Sequence, residues 1–502
     1  MADYDGVVIG AGLGGISTAA LLAAGGFKTL VLEQADMVGG CCSSFYHRGY
    51  RFDTGATMVM LVQPLREIFR RLGKRLEDYI DLIPCDPIYS IHAFDGSRFT
   101  VPRDIEEAAD VIASIAPGDR EGWKKYVEVG LSMLELLEEM MLTPANTLGE
   151  TVRMYRKTPG IMRYLPYMLR TAQGVTLRWL HNPVLQSTVA FQAYCAGSPP
   201  DLGMGSLIFV ALCEHLGVYY PRGGMGALPE GIQRAGEECG LEVRLNHKVE
   251  KILLEGRRAC GVRLEDGTEI TSRLVVSNLN AAVTYLKLVG PENLPSWAKK
   301  AVGSYEMAMA SPMLYIGMDT RPPLQAHNTM GITSLEAGNR IWHDYYKRGL
   351  IPTQCGFLLN WPTHSDPTLA PAGHHILNLA WGAPAPYAPL GDNWDRLKPA
   401  FTEAAIGVLE REVMPDVRDH LRVVEVATPL DFERRLLLPQ GGIYGLFFDL
   451  FSAAMFRPNP RSRVIADLYL AGASTGMGGS LPTTLASGVV ASDYIFRDHA
   501  RV

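Results

Sequence analysis

The sequence has no uncharged apolar run of about 20 residues, the length an α-helix needs to cross a bilayer. Its longest apolar stretches are short, as at 207–213, or broken by charge, as Asp449 breaks 443–456. Its eight cysteines include no CxxC pair, which removes zinc-ribbon and thioredoxin-like readings. Eight cysteines in 502 residues are also too sparse for a disulfide scaffold. There is no basic excess: 47 Lys+Arg against 53 Asp+Glu gives a net charge of −6, which argues against a dedicated nucleic-acid binder. The opening MADYDGVVIGAG has acids where a signal peptide needs a basic segment, so a reduced cytoplasmic setting is expected.

Apolar character, by contrast, is plentiful. It accounts for 47% of residues and gives a mean hydropathy of +0.04. That excludes a disordered chain. A single core stops growing at roughly 250–300 residues, so two or more domains are expected.

Residues 6–9 form a short apolar, partly β-branched run, which reads as a buried parallel strand. It leads into Gly10-Ala11-Gly12-Leu13-Gly14-Gly15, where glycines 10, 12 and 15 fit G-x-G-x-x-G. An Ala/Leu-rich helix at 16–24, a Gly25-Gly26 stop and a second apolar strand at 28–32 follow, ending at Glu33. This order is that of a dinucleotide-binding unit: a tight turn, close backbone approach to a pyrophosphate, and a helix N-terminus facing the phosphates. Glu33 stands where a carboxylate accepts from ribose hydroxyls and repels a 2′-phosphate, which disfavours NADP.

Val38-Gly39-Gly40-Cys41-Cys42-Ser43-Ser44 comes next, then Tyr50-Arg51-Phe52-Asp53-Thr54-Gly55. With the glycine turn, these stretches resemble the flavoprotein family that contains amine oxidases, phytoene desaturases, carotenoid isomerases and retinol saturases. Tyr220-Pro221-Arg222-Gly223-Gly224, the segment 362–374, Gly441-Gly442-Ile443-Tyr444-Gly445 and 468–482 are similar to its carotenoid-desaturase branch, so the resemblance spans essentially the whole chain. It implies FAD as cofactor, contacted by Gly10, Gly12, Leu13, Gly14, Gly15, Glu33, Gln34, Gly39, Gly40, Cys41, Cys42, Val249, Gly472, Met477, Gly478 and Gly479. The Val249 backbone would pair with the adenine, and a helix from about Thr483 would aim its N–H groups at the flavin, favouring negative charge on its reduced form. One departure stands out. The desaturase pattern usually has Arg after the double glycine, and Cys41 replaces it here. Gly-Gly-Cys-Cys looks like retinol saturases, and small residues there look like carotenoid isomerases, so saturation and isomerisation stand beside desaturation. The vicinal cysteines are read as cofactor lining.

The expected fold is α/β: a Rossmann-like (GR2-type) FAD-binding domain with an inserted α+β substrate domain and a helical membrane-associating region. The FAD domain takes 1–100, 220–300 and 440–502, and the substrate domain takes 101–219 and 301–439. Apolar spacing predicts helices at 105–116, 121–141 and 147–179, then strands at 312–318, 355–360 and 375–380 and a helix at 394–412. A hairpin is expected about Asp266-Gly267.

Between 153 and 179 the chain carries Arg153, Arg156, Lys157, Arg163, Arg170 and Arg178 with no acid, interleaved with Tyr155, Tyr164, Tyr167 and Trp179. Such an element suits an anionic membrane surface; a solvated helix face with core aromatics reads equally well. The inserts are rich in methionine, including Met133, Met140, Met141, Met154, Met162, Met168, Met204, Met307, Met309, Met313 and Met318. As a group these suit an apolar tunnel, and singly they suit core filling. His374-His375 lie on one expected strand, where neighbours point to opposite faces, so a structural role is expected and no metal site.

The expected function is an FAD-dependent oxidoreductase that desaturates, saturates or isomerises C=C bonds of a long polyene or isoprenoid lipid. Arg222, Tyr444 and Thr475 are its candidate catalytic groups by adjacency to motifs. The alternatives are an FAD-dependent amine oxidase and a flavin-containing lipid-binding protein without turnover. The expected partners are an apolar lipid substrate and the inner face of a membrane, met through 153–179, with no nucleic acid.

Overall fold

The computed structural model describes residues 2–499 apart from 144, 146, 196–198, 203–216, 309, 349–355, 382–392, 448–456 and 477. Met204, Met309 and Met477 therefore lie outside the described residues.

Two seven-stranded sheets organise the chain. In the first, Tyr4–Ile9 lies between Thr29–Leu32 and Glu269–Ser277, parallel to both. Glu242–Arg244 extends one side and Leu468–Leu470 the other, again in parallel. Val7, Val8, Leu30, Val31, Val275 and Val276 are fully buried, as expected where helices and loops cover both faces of a parallel sheet. The strand Glu269–Ser277 is long enough to serve twice. Its first residues pair antiparallel with Arg258–Leu264, which returns to Val249–Glu255, and its last residues join the parallel set. The expected Asp-Gly turn joins these strands, with Gly267 at φ +88°.

The second sheet runs Leu421–Ala427, Met313–Met318, His375–Trp381, Phe357–Asn360, Asn328–Ile332, Tyr89–Ala93, Arg98–Val101. The last two strands correct the boundary expected at residue 100: the chain crosses to the second sheet before Tyr89. The helix Trp394–Glu412 covers the outer face, where Leu314, Ile316, Leu377 and Leu379 form a core with Phe401 and Leu409. The opposite face, with Met313, Tyr315 and Ile376, packs into the core of the first sheet.

The helical insert holds Ile105–Ile115 and Arg120–Met141 close to their expected bounds. Asp104 caps the first by accepting from the N–H groups of Glu106 and Glu107. The single long helix expected over 147–179 is instead four pieces: Leu148–Lys157, a 3₁₀ turn Pro159–Tyr164, Leu165–Met168 and Ala172–Trp179. Pro159 disfavours helical geometry at Thr158, and the Thr171 hydroxyl starts a new helix by accepting from Gly174 N–H. Met133, Met140, Met141 and Met154 are buried in the core of this bundle, so they fill a core rather than line a tunnel. His374 Nδ1 lies 2.5 Å from the Tyr50 hydroxyl and His375 Nδ1 lies 3.5 Å from Thr363 Oγ1, structural partners for both.

Candidate cofactor cleft

The first strand ends at Ile9, and the helix Leu13–Ala24 starts at Gly12 with no side-chain cap. Its first-turn N–H groups therefore lack helical partners and face the turn. Gly15 permits this geometry, since a Cβ there would lie 2.1 Å from the Gly10 carbonyl oxygen. The double glycine folds back against this turn. Gly39 N–H donates to Ala11 O at 2.9 Å, and Gly12 and Gly39 form a parallel bridge. Gly39 takes φ +115°, which a side chain resists.

Glu33 ends the second strand and fixes the far side of the turn. One carboxylate oxygen accepts from Ala11 N–H at 2.7 Å and the other from Ala35 N–H at 2.9 Å. Burial pushes this carboxyl upward from its ordinary range, and those N–H groups oppose the push.

A cleft opens over these elements. Of the residues expected to touch a cofactor, Gly10, Gly12, Leu13, Glu33, Gln34, Gly39, Gly40, Cys41, Cys42, Val249, Gly472 and Gly479 line it. Gly14 and Gly15 stand one layer behind, where they permit close packing against Gly472 and Gly10. Gly478 is not among the lining residues; its carbonyl accepts from Thr483 Oγ1. The helix Leu481–Asp498 begins two residues earlier than expected, and its first turn reaches the cleft through Leu481 and Thr484.

The three candidate catalytic groups are not among the lining residues. Arg222 is exposed and pairs with Asp81 at 2.7 Å, on the outside of the molecule. The reason is the loop around it. Buried Asp53 accepts from Tyr220 OH (2.5 Å), Met225 N–H (2.8 Å) and Ser44 Oγ (2.8 Å), while Asp366 accepts from Gly223 N–H (2.7 Å). The loop is thus a clasp that joins the end of the strand Tyr50–Asp53 to the loop at Asp366, and its arginine points outward. Thr475 is buried and donates to Gly472 O at 3.0 Å, which stabilises its own turn. Tyr444 packs its backbone carbonyl against Gly479, and its neighbour Ile443 lines the cleft.

Other lining residues have weak sequence signals. His247 follows a strand end and donates its backbone N–H to Glu33 O. Asn278 closes the strand Glu269–Ser277; its amide lies against Gly12 and Gly472, and its buried Oδ1 has no hydrogen-bond partner among the described residues. Its only signal is a polar residue directly after a buried apolar run. Arg435, Leu436, Leu437 and Leu438 reach the cleft from the second insert, more than 390 residues from the double glycine.

Burial pushes the Cys41 thiol up to about 11, against the opposing charge of Arg435. Cys42 is also pushed well up by burial, and its thiol donates to Met225 O at 3.5 Å. Both are protonated lining near neutral pH. Backbone turns, an unpartnered buried amide oxygen and glycine surfaces that a Cβ would fill together suit an extended dinucleotide.

The comparisons agree with this geometry. The family model of flavin-containing amine oxidoreductases matches residues 13–496. The chain is 29% identical over 495 residues to a neurosporene-forming phytoene desaturase of Rhodobacter capsulatus, covering 97% of this chain and 93% of that protein. It is 29% identical over 499 residues to a lycopene-forming phytoene desaturase of Pseudescherichia vulneris, covering 98% and 99%. Its fold is similar to that of an oxidoreductase of Methanosarcina mazei, with a TM-score of 0.63 at 17% identity over 97% of this chain and 99% of the other.

Proposed function

We propose, from the premise that this chain belongs to the flavin-containing amine oxidoreductase family, that it is an FAD-dependent oxidoreductase acting on C=C bonds of a long polyene or isoprenoid lipid. Desaturation leads, with saturation and cis–trans isomerisation as the other outcomes at the same bond. The observation that carries the reading is similarity over nearly the full length of both chains to phytoene desaturases. FAD rather than a mononucleotide is supported by the reach of the cleft. It runs from Glu33, His247 and Val249, past the glycine turn, to Ala473 and Leu481.

Bound flavin would supply the hydride or electron chemistry. The protein's part is to hold and to shield. Glu33 presents carboxylate oxygens for a ribose, and the turn at Gly10–Gly15 presents backbone N–H groups to phosphates. Leu436, Leu437, Leu438, Ile443 and Leu481 form an apolar wall that excludes water. A hydrocarbon polyene has no carbonyl or acidic hydrogen for a side chain to activate, so an apolar wall with few polar groups suits it.

Peripheral association with the inner face of a membrane is part of the proposal. Leu148 (70% exposed), Leu169 (60%) and Met162 (54%) stand out into solvent with Val152, Tyr155, Leu165 and Leu177. The six basic residues between Arg153 and Arg178 are exposed beside them. This combination supports an interfacial element, and no described helix is long and apolar enough to cross a membrane.

The test is anaerobic mixing of the flavin-loaded protein, oxidised in one arm and reduced with dithionite in another, with phytoene-type polyenes and, for the oxidised protein, separately with a diamine. Bleaching of oxidised flavin, reoxidation of reduced flavin, or a changed isomer profile with the polyene supports the reading. Bleaching with the diamine alone supports an amine oxidase. No change in flavin or lipid in either arm leaves a binding protein without turnover.

A further inference from the structure

The cleft that this reading fills with FAD contains a charge problem. A diphosphate brings two negative charges to a lining that already holds the Glu33 carboxylate. Backbone N–H groups offset part of this, but the position after the double glycine carries neutral Cys41. Among the described lining residues, Arg435 is the only Lys or Arg.

Its placement is built. The helix Pro429–Leu436 begins with a capping box between Thr428 and Asp431, and Leu437 ends it in the left-handed region at φ +54°. Arg435 thus sits in the last turn, where a cation also suits the helix dipole. The Gln34 side-chain amide donates to Arg435 O at 2.7 Å, which ties the turn to the end of the second strand. The guanidinium carbon lies 5.9 Å from the Phe432 ring centre. The Arg435 charge opposes burial at Cys41, and its turn is held to the strand end through Gln34, so it stands between that strand end and the Gly39–Cys41 turn.

We propose that Arg435 is a cofactor-binding residue that pairs with the diphosphate of the dinucleotide, supplying from the second insert the positive charge missing at Cys41. The proposal rests on the FAD reading of the cleft. Its chemistry is a charge-assisted, fork-shaped contact of guanidinium with phosphate oxygens.

The experiment uses the full chain, stripped of flavin and titrated with FAD at low and high salt, as wild type, Arg435→Gln and Arg435→Lys. The side chain is exposed, so both variants keep the fold, as a circular dichroism melt will show. The expected result is FAD affinity weaker by about 10- to 100-fold in Arg435→Gln, with partial retention in Arg435→Lys and a flatter salt dependence in the glutamine variant. The flavin midpoint potential stays at the wild-type value, because the diphosphate lies away from the ring. Unchanged affinity in Arg435→Gln overturns the proposal. So does a shifted potential, which places the charge at the ring. Absence of FAD binding by the wild type instead removes the cofactor reading itself.

Discussion

At Gly15 the first helix touches the turn that precedes it so closely that even a methyl group would meet the Gly10 carbonyl oxygen. Gly15→Ala should therefore lose bound flavin and melt earlier, read from the flavin-to-protein absorbance ratio and a thermal scan. Cys41 and Cys42 behave differently. Burial holds both thiols protonated near neutral pH, which removes the thiolate that redox exchange requires. Cys41→Ser and Cys42→Ser should keep flavin content and turnover. Loss of turnover with flavin retained, in both variants, would make them a redox pair. The glycines and Glu33 were legible because their chemistry lies within thirty-odd consecutive residues. Asn278 and Arg435 were not, since folding alone brings them to that turn.

Among the elements, the helical insert shows the clearest local logic. Buried Asp119 accepts from His181 N–H (3.0 Å), Asn182 N–H (2.7 Å) and His181 Nδ1 (3.0 Å), which ties the start of the helix Arg120–Met141 to the segment before the helix Pro183–Cys195. Burial pushes this carboxyl up, but the N–H groups of Asn182 and His181 outweigh it and hold it below the usual range. A depressed folded value adds stability above the unfolded value near pH 4 and loses it as pH falls through the folded one. Asp119→Ala should cost about 2–3 kcal/mol near neutral pH in denaturant titrations. The gap to wild type should close as pH falls below about 4.

The segment 153–179, proposed as an interfacial element, differs in form from the expected single helix. Its basic and apolar residues are exposed as an interfacial element requires, but Pro159 and Thr171 divide the helix that periodicity suggested. Leu165→Asp with Leu169→Asp should lower binding to anionic vesicles in flotation assays by about tenfold or more, with flavin content unchanged. Equal flotation by wild type and variant would sink the membrane assignment.

Over the whole molecule, two sheets share one core, and the cleft collects residues from three separate stretches of the chain, 9–56, 247–280 and 435–484. The first sheet was legible because its strands are short apolar runs next to glycine signals. The crossing before Tyr89 was not, because Tyr89–Ala93 pairs with Asn328–Ile332, and no local pattern reports a partner more than 230 residues away. Arg222 stands outside the cleft for a related reason. Its motif is real, but Asp53 and Asp366 use that motif as a clasp, which turns the arginine outward.

This cleft is proposed to serve redox or isomerisation chemistry on a polyene. The most direct measurement is chromatography of a phytoene-type polyene after stoichiometric anaerobic incubation with the flavin-loaded protein, oxidised in one arm and dithionite-reduced in the other, with flavin redox state followed in parallel. The expected result is a polyene with more double bonds and oxidised flavin reduced in proportion, or with fewer double bonds and reduced flavin oxidised in proportion, or with altered geometry. Recovery of unaltered polyene in both arms, with flavin redox state unchanged, would contradict it.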